Sequence, residues 1–367
     1  MASREPVQSK GASRVGRVAR RLVVAVCLVV LAGTGLLFWA RPSRSLEARL
    51  RAIDAAYAIP DEENAARAYT ELAWDYNGPS LDMFVLPPSL LVSTLMQPWR
   101  SVDYPQAAQW LEERRPVVDT LMDIGRKPNC WFSVFEARWQ AGKRSDAAHQ
   151  WSMLLLLAAN NDLGEDRTEA GLEKLLAVLQ IARHFHTQVN PRDRNIGESF
   201  LWVGLRRLER LVMLEEVPQE WLARFETALP PARNGWNEDS KQVETVRQLY
   251  EREHQQGVIK RLMSIFTAAK SGRADRESEL LKLGLCRTTR ILLALRHYRN
   301  KTGAWPGSLR EIQSRVPPEA LIDPLTGKPL VYRLVGDRVL VYGVGLNRVD
   351  DGGSFSAGDD FPYWAGR

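Results

Sequence analysis

Histidine and cysteine are scarce in this chain: five and three, respectively, among 367 residues. None of them falls at zinc-ligand spacing. The sequence also lacks a His-Glu-x-x-His helix, a Gly-x-Ser-x-Gly elbow, a P-loop and a dinucleotide fingerprint, so no local motif supports nucleophilic or phosphoryl-transfer chemistry. Excess charge is missing too, once the first residues are set aside. Of the formal net charge of +6, five units arise in residues 1–21, where Arg4, Lys10, Arg14, Arg17, Arg20 and Arg21 face Glu5 alone. The remainder is near neutral, which removes the electrostatic footprint of a nucleic-acid binder.

What is present is a foldable composition, 45% hydrophobic and 26% charged, in a chain long enough for two modules with real cores. One apolar run stands out. Residues 22–40 are nineteen in number, carry no charge and are bracketed by Arg20-Arg21 and Arg41. At about 1.5 Å per helical residue they span a bilayer core, with Trp39 at the interfacial position. A cleaved signal peptide is the rival reading, with Ala32-Gly33-Thr34-Gly35 as its cleavage region, but Leu36-Leu37-Phe38-Trp39 restarts the apolar run. The uncleaved transmembrane anchor is favoured. The basic segment 1–21 then lies in the cytoplasm, and the long C-terminal part lies outside it. Cys27 belongs to this run. Cys130 and Cys286 are left either to form one disulfide or to be lone buried thiols.

Residues 45–269 read as a helical domain. Leu46, Leu50, Ile53 and Tyr57 recur at helical spacing, and Pro60-Asp61-Glu62-Glu63 makes a turn ahead of a second helix. Residues 77–105 are different, because Pro79, Pro87, Pro88, Pro98 and Pro105 interrupt an apolar stretch. That is either an irregular segment packed on the helices, the favoured reading, or an apolar lid. Beyond it, Trp151, Leu154, Leu155 and Ala158, and then Leu172, Leu175, Leu176 and Leu179, form helical stripes on two helices joined across 160–164. The pair resembles one unit of an α-solenoid, although no repeat of fixed period follows.

His184 and His186, two apart, point to different sides of a helix, and the Glu-x-x-His at Glu251 to His254 lacks the second copy that a di-iron site needs. The run Arg206-Arg207, Glu209 and Arg210 reads as a solvated face. The polar stretch 270–277, with Gly272, is the expected linker to a second module, 278–367.

That module opens with an amphipathic run ending at Thr302-Gly303-Ala304-Trp305-Pro306. Segments 330–335 and 338–343 are rich in β-branched and aromatic residues and are separated by Gly336-Asp337, which predicts a hairpin with a type II′ turn. Turn residues fill 323–329. Asn347, Asp350, Asp351, Asp359 and Asp360, among glycines, make either a loop for a hard cation such as calcium or a solvated acidic turn.

The helix end at 295–306, Asp323-Pro324 with Gly327 and Pro329, Tyr342-Gly343-Val344-Gly345-Leu346-Asn347 and Asp359-Asp360-Phe361 together resemble the C-terminal globular part of type II secretion major pseudopilins, over residues 283–364. The resemblance implies a long helix packed on a short antiparallel sheet. It also implies a calcium loop near the C-terminus, with Asn347 and Asp360 near the ligand positions and Asp350 and Asp359 as neighbours, and a setting in the bacterial envelope. The chain departs from that family at its start, where 20–26 hold no processing site, and in the helical array before the match.

The expected fold is therefore mainly α: a transmembrane helix, a solenoid-like helical array and a small C-terminal α+β domain. The expected function is a membrane-anchored, extracytoplasmic scaffold or protein-interaction protein. It would sit as a single-pass protein in the bacterial inner membrane, with the lipid bilayer and other envelope proteins as partners and its C-terminal part in the periplasm. The alternative is a membrane-anchored enzyme with a dispersed site beneath the loop at 77–105.

Overall fold

A computed structural model describes residues 44–82, 86–230, 245–246, 258–344, 349–353 and 361–364. The expected anchor at 22–40 and the Glu251 to His254 motif lie outside these residues. Among the described residues no helix is long and apolar enough to cross a membrane.

Ten α-helices are described: α1 (Arg44–Ala56), α2 (Ala66–Trp74), α3 (Pro88–Met96), α4 (Pro105–Glu112), α5 (Arg115–Arg126), α6 (Ala137–Gly164), α7 (Thr168–His186), α8 (Pro191–Leu214), α9 (Gln219–Ala228) and α10 (Val258–Thr302). Prolines open several of them: Pro88, Pro105, Pro116 and Pro191 lie in first turns, where a missing N–H costs nothing. Asn190 caps α8, its side chain accepting from the Arg192 amide at 3.0 Å. The stripes read from the sequence face inward. Trp151, Leu154 and Leu155 of α6, Leu172, Leu175 and Leu179 of α7, and Phe200, Leu205 and Leu208 of α8 form one core, with α7 packed against both neighbours. The turn between α6 and α7 falls later than expected. Asn160 lies inside α6 because its side chain reaches the Thr94 and Leu95 carbonyls, and the chain reverses at Asp166, whose φ is 62°.

The segment 77–105, expected to be irregular, contains a real helix, α3. It packs on α6, and the segment after it is tied down where the Trp99 amide donates to the Asn160 carbonyl at 3.1 Å. The expected linker needs correction. Residues 270–277 belong to α10, which runs unbroken from Val258 to Thr302. The stretch holds no proline, and a single glycine costs a helix only about 1 kcal/mol, less than the packing further along α10 returns. There Leu285, Ile291, Leu292 and Leu295 bury in the same cluster as α6 to α9.

The arginines of α10 reinforce this union. Arg290 donates to the Leu229 and Pro230 carbonyls after α9, and Arg296 donates to the Val212 carbonyl near the end of α8. The orphan carbonyls of two helix C-termini thus gain cationic donors.

The C-terminal strands β1 (Val331–Val335), β2 (Arg338–Gly343) and β3 (Phe361–Trp364) form an antiparallel sheet in the order β1-β2-β3. Val335 pairs with Arg338 across the two-residue loop, where Gly336 takes φ 62°, as a type II′ turn demands. β3 brings Tyr363 onto α10 at Gly284, where an added Cβ would fall inside the tyrosine ring. Gly284→Ala should therefore destabilise the protein. The helix would gain about 1 kcal/mol, but overpacking costs about 1–3 kcal/mol and unseating Tyr363 forfeits its buried hydrogen bond to Asp323, worth a further ~1–3 kcal/mol. A lower thermal midpoint with near-ultraviolet dichroism altered is the expected result; an unchanged or higher midpoint would show that β3 does not seat on α10.

Candidate functional site

Two open clefts abut along one irregular segment, residues 127–136. Its middle, at Cys130, Trp131, Phe132 and Val134, is buried, so the backbone groups there need partners. Asp54 of α1 accepts from Trp131 Nε1, Ser133 Oγ and the amides of Val134 and Phe135 at 2.8–3.1 Å. Asn64 brackets Trp131, accepting from its amide and donating to its carbonyl. Just past the end of α7, Gln188 donates to the Cys130 carbonyl and accepts from the Phe132 amide.

His184 completes the clamp. Its Nδ1 lies 3.0 Å from the Tyr69 hydroxyl and its Nε2 lies 2.8 Å from the Lys127 carbonyl. A carbonyl only accepts, so Nε2 carries the proton and Nδ1 accepts from Tyr69. Burial pushes the imidazole down to about 4, and it stays neutral at physiological pH. His186 is likewise pushed down, to about 3, by burial and then by the nearby Arg194 and Lys282.

The first cleft, about 420 Å³, lies between α2 and residues 131–136. It is lined by Asp61, Glu71, Asp75 and Glu136, with Arg67 and Arg144. Arg67 pairs with Glu71 at 2.7 Å, and the buried Arg144 makes a two-point contact with Asp193, at 3.1 and 2.7 Å. Both cations are thereby neutralised, and the cleft keeps the acidic character of Asp61, Asp75 and Glu136.

The second cleft, about 470 Å³, lies between the end of α5, α7 and α9. Close approach of α5 and α7 is possible because Gly125 meets Ala177, where a Cβ at Gly125 would stand 3.1 Å from that of Ala177. The lining is apolar at Met122, Pro128, Leu176 and Ala177, and basic at Arg126, Lys127, Arg183 and Arg224, against Glu173 alone. Neither cleft is lined by residues of 77–105.

A third polar group sits inside the core. The run read as a solvated face is corrected by the structure: Arg207 and Glu209 are fully buried. Arg207 reaches Asn160 and Glu215, and Glu209 accepts from Arg206 and from Thr289 Oγ1 of α10, each at 3.0 Å. Arg206 also donates to the Tyr363 carbonyl of β3. Burial raises the Glu209 carboxyl to about 7, against the opposing pull of Arg206 and Thr289. Cys286 is buried beside it and pushed up to about 12, chiefly by burial. It and Cys130 are both free thiols with no disulfide between them.

Of the residues read as a calcium loop, Asp350 is described; Asn347, Asp359 and Asp360 lie outside the described residues. Asp350 accepts from the Tyr342 hydroxyl and the Gly352 amide on Oδ1 and from Arg333 on Oδ2. A cation at Asp350 would compete with Arg333. Among the described residues no group of three or more His, Cys, Asp or Glu side chains could hold a metal ion. Sequence reasoning missed the clefts entirely, since their linings come from segments 40 to 100 residues apart. Gly125, directly after the buried Ile124 in the last turn of α5, is a local sign of a close helix approach.

The carboxyl of Glu209 rises from a normal value of 4.5 to about 7 on folding. The folded state thus holds a proton that the unfolded chain has released, and the associated stability is present below pH 4.5 and lost as pH rises towards 7. The slope is at most about 1.4 kcal/mol per pH unit. Glu209→Gln should flatten the fall in thermal midpoint between pH 5 and pH 7; a fall as steep as in the unaltered chain would show that Glu209 is ionised throughout. Comparison of the chain with family models, with curated proteins and with solved structures found no match.

Proposed function

We propose that this chain is a membrane-anchored protein-interaction scaffold of the bacterial envelope, held in the inner membrane by residues 22–40 with its folded body in the periplasm. The observation that supports it most is the pair of oppositely charged open clefts on the two flanks of segment 127–136. They meet at the Asn64–Asn129 bridge, so a partner chain crossing the segment passes from an acidic to a basic surface. Other charges, by contrast, are committed within the protein: half-buried Asp54 to 131–135, Arg144 to Asp193, and Arg287, Arg290 and Arg296 to carbonyls. Successive packing of α6, α7 and α8 supports a solenoid-like body. The long helix, the turn at 323–329 and the hairpin follow the order of the pseudopilin resemblance, here joined to that body through α10.

Because α10 supplies Leu285, Ile291 and Leu295 to the common core, removing 278–367 would open the fold. Point changes at the cleft rims are the cleaner test. In intact membranes, a photo-crosslinking side chain at Asp75 or Gln180 should give discrete adducts with other envelope proteins, and the protein should resist alkaline carbonate extraction. No adduct from either cleft would refute the interaction reading, and release by carbonate would refute the anchor.

A calcium ion held by Asn347, Asp359 and Asp360 belongs to the same reading. A ligand that binds only the folded state raises its stability. The full chain should melt at a higher temperature in calcium than in chelator; equal midpoints would dismiss the ion.

A further inference from the structure

We propose that the cleft between α5, α7 and α9 seats an acidic peptide segment of a partner protein. Its carboxylates would rest on Arg183 and Arg224, and an apolar side chain would rest on Met122, Leu176 and Ala177. The inference rests on the interaction reading above and supplies the chemistry of the partner.

The four cations of this cleft are not equivalent. Arg126 pairs with Asp123 at 2.7 Å, and Lys127 donates to the Glu62 carbonyl at 2.7 Å. The Arg183 side chain is exposed and forms no hydrogen bond or ion pair among the described residues. Arg224 lies over the Trp221 ring at 3.8 Å. A guanidinium stacked on an indole is held in plane while its N–H edge stays open to an acceptor, the geometry suited to a carboxylate. Two uncommitted, planar cations therefore overlook an apolar floor, and the occupant must offer acidic groups beside an apolar one.

Size argues in the same direction. About 470 Å³ falls in the range of a small-ligand site, room for a few side chains of an extended or helical segment. Along α7, the residues Glu173, Leu176, Ala177, Gln180 and Arg183 share one face. The lone acid, Glu173, is ten positions from Arg183, about 15 Å along the helix. An acidic group at Arg183 thus escapes repulsion by Glu173, and Gln180 lies between them with both a donor and an acceptor.

The test uses the full chain in lipid nanodiscs and a fluorescein-labelled peptide of Leu-Glu-Glu repeats, read by anisotropy. Binding should weaken at least about tenfold in the Arg183→Glu/Arg224→Glu variant and in high salt, with the peptide of Leu-Lys-Lys repeats failing to bind the cleft. Both arginines are exposed, and the milder Arg183→Gln/Arg224→Gln variant should give an intermediate loss with an unchanged melting curve. Equal affinity in the unaltered and reversed chains would overturn the proposal. So would binding of phosphatidylglycerol vesicles through the two arginines without binding of the acidic peptide, which would assign the cleft to lipid headgroups. The two readings fail separately: a chain that binds the peptide but leaves the membrane in carbonate loses the anchor, and one that crosslinks at Asp75 but ignores the peptide loses this cleft.

Discussion

The burial of segment 127–136 is the constraint on which the rest of this structure depends. An irregular stretch in a protein interior cannot satisfy its own amides and carbonyls, and each one left unpaired costs about 1–3 kcal/mol. Asp54 of α1, Asn64 of the turn before α2, His184 of α7 and Gln188 just past the end of α7 meet that demand. They also fix the segment as a rigid ridge. The clefts on either side of it exist because the ridge stands between α2 and α7 without filling the space against either.

The same logic joins the C-terminal module to the helical body. A sheet of three short strands is stable only with its apolar face covered. Here it leans on α10, and α10 is fastened to α8 and α9 by a leucine stripe and by arginines that donate to carbonyls at helix ends. Lys282 on Glu198 and Thr289 on Glu209 add polar contacts along the same face. Glu209 and Arg206 then carry the connection to Tyr363, whose hydroxyl meets Asp323 in the turn before the hairpin. One continuous path of buried contacts thus runs from the helical body to the last described strand.

Much of this was legible locally. The stripe at Trp151, Leu154 and Leu155 and the Gly336-Asp337 hairpin turn are set by neighbours within a few residues, and the structure keeps them. The polar stretch 270–277 misled for a physical reason: a polar helical stretch and a flexible linker share a composition, and nothing within the stretch itself distinguishes them. The run at 206–210 misled in the opposite direction. Burial of Arg207 and Glu209 depends on Asn160, Glu215 and Thr289, all remote in sequence.

The sequence by itself determined the main helical stripes and the C-terminal hairpin, because those preferences arise from hydrophobic period and glycine within one or two turns. It also established the uncharged run at 22–40 and the near-neutral charge beyond it. Only the tertiary structure decided which charges are buried and which stay open. Asp193 and Arg144 are paired inside, while Arg183 and Arg224 face outward over an apolar floor. A side chain's electrostatic role follows from its surroundings, and those surroundings are assembled from parts of the chain that no local pattern connects.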